Sequence, residues 1–245
     1  MVQQRVGLDR PGIRPVVNGA LVDVLTSADA LLFDFDGPLC DVFAGMPAPG
    51  VARRLERLAG RSFPTDDPLA VLRGCYHSCS PEIAVRVEDE LVQAEVGAVD
   101  VARAEPGGID SLRAAHAADM PAAVVTNNAG EAASRFLHAH GLVDLVVAVV
   151  GRALRRPDRM KPDPWSLLAA ADALGVEPAR TVLIGDSTTD IEAGHAAGVP
   201  CIGYANKPGK RVAFEQLGAA VVIDDMGELA AALRARAGAS PQRGT

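Results

Sequence analysis

The sequence predicts an α/β protein, a doubly wound parallel sheet with a small helical domain inserted after its first strand. Three observations carry this expectation. Short runs rich in Val, Ile, Leu and Ala recur along the chain, most of them apolar throughout, as in parallel strands covered on both faces. From about residue 107 onward they alternate with segments whose apolar residues fall three and four apart, the helical spacing. Between residues 42 and 104 that alternation lapses, and helical patterns follow one another with no strand between them.

The first 28 residues carry weak periodicity and are read as an N-terminal extension. ALLFDF (30–35) is the first strand, and residues 29–41 together with 105–237 form the core. VARRLERLAG, DPLAVLRGCYHSC and PEIAVRVEDELVQAEVG read as successive amphipathic helices of an insertion spanning 42–104, with Gly45, Pro47, Pro49, Pro106, Gly107 and Gly108 marking its flanks. AAVVTN (122–127), VVAVVG (146–151), TVLIGD (181–186), CIGYA (201–205) and AAVVID (219–224) supply the remaining strands. IDSLRAAHA, EAASRFLHAHG and PWSLLAAADALG are helices between them. Gly141 and Gly175 stand where two of these stop, and Asp163 followed by Pro164 marks a start. Residues 238–245 read as a tail, and there is no internal repeat.

Composition narrows the function. With 245 residues, 49% apolar and 22% charged, the chain belongs with folded rather than disordered sequences. The N-terminal segment has no apolar stretch of signal-peptide length and no window nears the ~18 apolar residues of a membrane span, so a cytoplasmic protein without a membrane partner is expected. Cys40, Cys75, Cys79 and Cys201 are scattered, which favours reduced thiols. A net charge of -7 argues against nucleic acid as a partner. Nothing in the sequence sets an oligomeric state.

The chemistry begins at LLFDFDGPLCD (31–41). Residues i and i+2 of a strand face one way, so Asp34 and Asp36 emerge together where the strand ends, with Gly37 allowing a tight turn. Two adjacent carboxylates repel each other unless a divalent cation neutralises them or one binds a proton. The later strands also end in polar residues at the edge where open parallel sheets bind ligands: Thr126 and Asn127 after AAVV, and Asp186 after TVLIG. Lys161 precedes a helix start in MKPDP, and Asp190 follows in GDSTTD. Together these groups suit a metal-bound phosphate.

In this order, DFDGP (34–38), VVTN (124–127), MKPDP (160–164) and IGDSTTDIEAG (184–194) resemble the four motifs of the haloacid dehalogenase superfamily. The resemblance covers nearly the whole core and implies a Rossmann-like sheet with a cap domain at 42–104. It implies Asp34 as a nucleophile that becomes an aspartyl phosphate, and Asp36 as the acid and base. Thr126, Asn127 and Lys161 would hold the phosphate. Magnesium would bind the Asp34 carboxylate, the Asp36 carbonyl and Asp186, with Asp190 in support. The reaction implied is magnesium-dependent hydrolysis of a small soluble phosphomonoester, a small phosphorylated metabolite. Capped relatives similar to phosphoglycolate phosphatase mostly act on such esters. An acid at position 36 suits a phosphate ester, whose leaving alkoxide needs a proton, better than a haloalkane. Pro38 stands where the family usually has threonine or valine, and its fixed φ and missing amide alter that turn.

Two rival readings remain. A phosphomutase resembling β-phosphoglucomutase would pass the phosphoryl group to a sugar, with Arg53 and Arg54 as groups that could serve it. A phosphorylation-controlled module similar to a response-regulator receiver uses the same residue types, but its acceptor lies on a later strand. Elsewhere, the arginines of RALRRPDRMK (152–161) read as a solvated loop, CYHSC (75–79) as helix packing, and GYANKPGK (203–210) as no nucleotide loop.

Overall fold

The computed structural model describes residues 18–239. The six expected strands are β1 (Ala30–Phe33), β4 (Ala122–Val125), β5 (Ala148–Val150), β6 (Thr181–Gly185), β7 (Cys201–Tyr204) and β8 (Val221–Ile223). They form one six-stranded sheet in the order β5-β4-β1-β6-β7-β8. All neighbours run parallel, with Leu31 opposite Ala122 on one side and Val182 on the other.

The apolar-throughout runs have a direct physical reason. Alternate residues of each strand point to opposite faces, and both faces are covered. Leu31, Phe33, Val124, Ile184 and Ile202 face a core closed by α1 (Gly19–Ser27), α5 (Pro106–Ala117), α6 (Gly130–Ala139) and α10 (Met226–Ala239). Leu32, Ala123, Val125 and Leu183 face a second core closed by α7 (Trp165–Leu174), α8 (Thr188–Ala197) and α9 (Lys210–Gln216). Gly175 ends α7 in the left-handed conformation, and the Asp163 carboxylate accepts the Trp165 N–H at its start. The stop signal sits where the sequence places it, while the helix starts one residue later than expected, with Pro164 as its N-cap residue rather than its first helical one.

Two features were not legible. Residues 1–17, most of the N-terminal extension, lie outside the described residues, as do residues 240–245 of the tail; but α1 is a helix that buries Leu21 and Leu25. Two apolar residues in a nine-residue segment give too little periodicity to read. The pair β2 (Cys40–Asp41) and β3 (Arg103–Ala104) runs antiparallel and brackets the inserted segment; two-residue strands carry no alternation.

Within the bracket, α2 (Ala48–Ala59), α3 (Pro68–Ser78) and α4 (Pro81–Ala98) pack on one another through Val51, Leu55, Leu72, Cys75, Val87 and Leu91. Cys75 is part of this packing while His77 faces solvent. Met160, from the segment before α7, is buried in the same cluster, so the insert grips the core beside Lys161.

The chain steps from β1 outward to β4 and β5, then returns to β6 beside β1 and proceeds to β7 and β8. The strand order thus reverses between β1 and β6, the crevice where such sheets bind ligands. Asp34 and Asp186 follow these two strands.

Candidate active site

Asp34 leaves the end of β1 with its N–H donating to the Ile184 carbonyl of β6 at 2.8 Å, which fixes it against the neighbouring strand. The following turn is made by the Gly37, Leu39 and Cys40 N–H groups, which donate to the carbonyls of Cys40, Phe35 and Phe35. Pro38 has no N–H, and the turn closes through the three amides around it. Gly37 adopts φ 116°, and a Cβ there would lie 2.3 Å from the Asp186 Cγ. Only glycine lets the Asp186 carboxylate approach the turn.

Lys161 connects the elements. Its ammonium donates to Asp34 Oδ1 at 2.8 Å, Asp190 Oδ1 at 2.5 Å and the Val125 carbonyl at 3.4 Å, and its side chain is buried. Asp190 is fully buried at the start of α8, where a capping box fixes it: Ser187 N–H and Oγ donate to Oδ2 at 3.0 and 2.7 Å. With both oxygens engaged, Asp190 holds Lys161 in place. Burial works against the Lys161 charge, yet Asp190 and Asp34 outweigh it and raise its pKa above the ordinary lysine range. Burial and then the charge of Asp190 push Asp34 well above the usual carboxylate range, against the pull of Lys161. Burial likewise pushes Asp36 up to about 6, the Val42 N–H opposing and Asp186 and Asp41 adding to it.

This cluster holds more carboxylates than cations. Oxygens of Asp34, Asp186 and Asp190 lie within 4.8 Å of one another. Asp34 Oδ2, Asp186 Oδ1 and the Asp36 carbonyl accept no hydrogen bond among the described residues. Surplus negative charge with unengaged oxygens is a donor set that fits a hard divalent cation such as magnesium.

The loop after β4 supplies the other wall. The Asn128 N–H donates to Thr126 Oγ1 at 3.0 Å, and that hydroxyl donates to Asn128 Oδ1 at 3.1 Å. Asn127 does not aim its side chain freely into the pocket. Its Oδ1 accepts the Lys161 N–H at 2.8 Å and its Nδ2 donates to the Lys161 carbonyl at 3.1 Å, so the amide braces the lysine loop. The Asn127 backbone N–H has no acceptor among the described residues. Asp34, Asp36, Thr126, Asn127, Lys161 and Asp186 all line one cavity of about 250 Å³. A wider cleft of about 460 Å³ reaches Asp36 and Asp186 from the side of Arg103 and Lys207.

Several residues of this region were missed. Arg73 of α3 lines the cavity and donates to the Lys161 carbonyl at 2.9 Å. Lys210 and Asn206, within the segment read as no nucleotide loop, donate to Asp186 Oδ2 at 2.6 and 2.9 Å. Arg152 corrects the reading of a solvated loop: its side chain is buried and ion-paired with Glu95 of α4 at 3.0 Å. A signal was present, because Glu88 and Glu95 fall on the apolar stripe of α4 with Ala84, Leu91 and Ala98. Buried acids on such a stripe require a cation. Arg53 and Arg54 pair with Asp66 and Glu90 and do not line the cavity.

A parallel α/β sheet whose switch point gathers an acidic cluster, a buried lysine and a threonine-bearing loop defines a class of enzyme cores. The chain matches the haloacid dehalogenase-like hydrolase family over residues 28–198, and it belongs to that family. It is 31% identical over 225 residues to a plasmid-borne phosphoglycolate phosphatase of Cupriavidus necator, covering 83% of this chain and 92% of that one. It is 37% identical over 128 residues to the phosphoglycolate phosphatase of Rhodospirillum rubrum, where the match spans about half of each chain (51% and 50%). In fold it is similar to CbbY from Rhodobacter sphaeroides, solved in complex with phosphate. That likeness has TM-score 0.64 at 18% identity, covering 82% of this chain and 96% of that one. Family membership removes the receiver reading.

Proposed function

We propose that the protein is a phosphatase that hydrolyses a small phosphomonoester through an aspartyl phosphate on Asp34. One observation carries this reading: Asp34, Asp36, Thr126, Asn127, Lys161 and Asp186, which would supply nucleophile, acid and base, phosphate-holding groups and cation donors, line a single cavity. At about 250 Å³ it has room for the phosphoryl group of a small ester. Asp34, Asp186 and the Asp36 carbonyl would hold magnesium, which would supply charge neutralisation when bound.

The chain's own groups account for the rest. Lys161 and the Asn127 N–H would draw the phosphate oxygens toward Asp34, with the Thr126 hydroxyl beside them. One oxygen of the Asp34 carboxylate attacks phosphorus while the other stays toward the cation donors, and the bond to the leaving alkoxide breaks. Asp36 gives that alkoxide its proton; its raised pKa favours the acid form that this step needs. Water then attacks phosphorus, Asp36 takes the proton, and the bond to Asp34 breaks, releasing inorganic phosphate. Lys161 stays charged through both steps because Asp190 anchors it.

Two relatives are named phosphoglycolate phosphatase, so 2-phosphoglycolate belongs first in a panel that also includes sugar and nucleotide monophosphates. Phosphate release from at least one ester, dependent on magnesium and on Asp34, is the expected result. A phosphomutase gains no support from Arg53 and Arg54, which lie away from the cavity. Turnover that requires a phosphorylated sugar as cofactor would replace the hydrolase reading with the mutase one.

A further inference from the structure

Helix α4 of the insert presents two fully buried glutamates to the core. Glu95 is hydrogen-bonded on both oxygens. Oε1 accepts Asn128 Nδ2 at 3.1 Å and an Arg152 N–H at 3.0 Å; Oε2 accepts the Ala129 backbone N–H at 2.9 Å and a second Arg152 N–H at 3.1 Å. Arg152 in turn donates to the Asn127 carbonyl at 2.8 Å through its guanidinium and to the Asn128 carbonyl at 2.8 Å through its backbone. Glu88 completes the set, accepting from Tyr76 at 2.6 Å and Arg155 at 2.8 Å, with Arg152 Nε 3.5 Å from its other oxygen.

These contacts have a direction. By taking Nδ2 of Asn128, Glu95 turns that amide so that Oδ1 meets the Thr126 hydroxyl. By gripping the Asn127 carbonyl, Arg152 sets the plane of the 127–128 peptide, which adjoins the peptide that carries the Asn127 N–H, itself unengaged among the described residues. The same Asn127 brackets Lys161 through its side chain. A hydrogen-bonded path therefore runs from α4 through Glu95 and Arg152 to the Thr126–Asn128 loop, whose Asn127 side chain braces the Lys161 backbone, and neither side chain has solvent to fall back on.

We infer that Glu95 and Arg152 are positioning residues: the insert sets the phosphate cradle from behind, through a buried bidentate ion pair, besides covering it from above. This rests on the phosphatase reading of the cavity. A bidentate carboxylate–guanidinium pair fixes two planes at once, which a single lysine contact would not. Misplacing a positioning group by about 1 Å can cost on the order of 100-fold in kcat/KM.

The test uses the full chain, with inorganic phosphate in the presence of magnesium as the probe, measured by calorimetry alongside thermal melting. Glu95→Gln leaves Arg152 buried without its full partner and is expected to lower both phosphate affinity, by tenfold or more, and the melting midpoint. Because that variant alone confounds folding with positioning, the decisive protein is the double variant Glu95→Met with Arg152→Met. Replacing both buried charges by apolar groups of similar volume restores stability in other buried pairs. Recovery of the melting midpoint with phosphate affinity still reduced tenfold or more, and kcat/KM reduced mainly through KM, supports the positioning role. Recovery of both stability and phosphate affinity overturns it and leaves the pair as structural glue. Wild-type affinity in Glu95→Gln overturns it as well. A wild-type protein that binds no phosphate contradicts the phosphatase reading and the inference with it, which separates the two failures.

Discussion

At the residue scale, the site is a set of groups whose charges are set by burial and by one another. Asp36→Asn removes the proton carrier while keeping the Val42 contact; turnover should fall by about 10²–10⁴-fold with little change in melting temperature, read by steady-state kinetics. Lys161→Met leaves Asp34 and Asp190 buried without their common cation, and breaking such a buried pair costs about 3–5 kcal/mol. Chemical denaturation of that variant should show a loss of this size. Gly37→Ala places a methyl where the Asp186 carboxylate sits, in a backbone region that L residues rarely adopt. Its expected signature is weaker magnesium binding in a calorimetric titration, and unchanged affinity would show that Asp186 is not a ligand. That Asp34, Asp36, Thr126, Asn127, Lys161 and Asp186 come together in one cavity was legible from sequence, because each follows a strand end or precedes a helix start in a spaced motif. Arg73 and Lys210 were not legible, because their partners lie far away in the chain; Glu95 left a local signal in its place on the apolar stripe of α4, but nothing local names Arg152 as its partner.

At the element scale, the sheet was legible because each strand must be apolar on both faces, and α2 to α4 because their apolar residues follow the helical period. The short β2–β3 pair and α1 escaped because an element of two residues, or a helix with two buried leucines, leaves no periodic signal. The start of α8 shows how an element serves the site: its capping box both ends the β6 loop and anchors Asp190. Ser187→Ala should cost about 0.5–2 kcal/mol as a lost cap. It should also lower turnover, because Asp190 loses a partner and Lys161 its fixed position. A stability loss with turnover intact would mean that Lys161 is held well enough by Asp34 alone.

At the scale of the whole molecule, two core layers and the insert meet at the crevice between β1 and β6. The insert is joined to the core by Met160 in its apolar cluster and by the Glu88, Glu95, Arg152 and Arg155 network. Such ties predict that α4 unfolds with the sheet rather than before it. Hydrogen exchange should protect the α4 amides as strongly as those of β1 and β6; early exchange of α4 would show a detachable insert. The fold class could be read from sequence because it depends on period and order. The coupling of insert to cradle could not, because it depends on which buried charges meet.

The central claim is that Asp34 carries the phosphoryl group. Rapid acid quench during turnover of the best ester, followed by peptide mass spectrometry, tests it most directly. A phosphoryl group on the peptide containing Asp34, absent from Asp34→Asn and from protein without magnesium, is the predicted result. Steady turnover with no phosphorylated peptide at any quench time, together with an active Asp34→Asn, would contradict it.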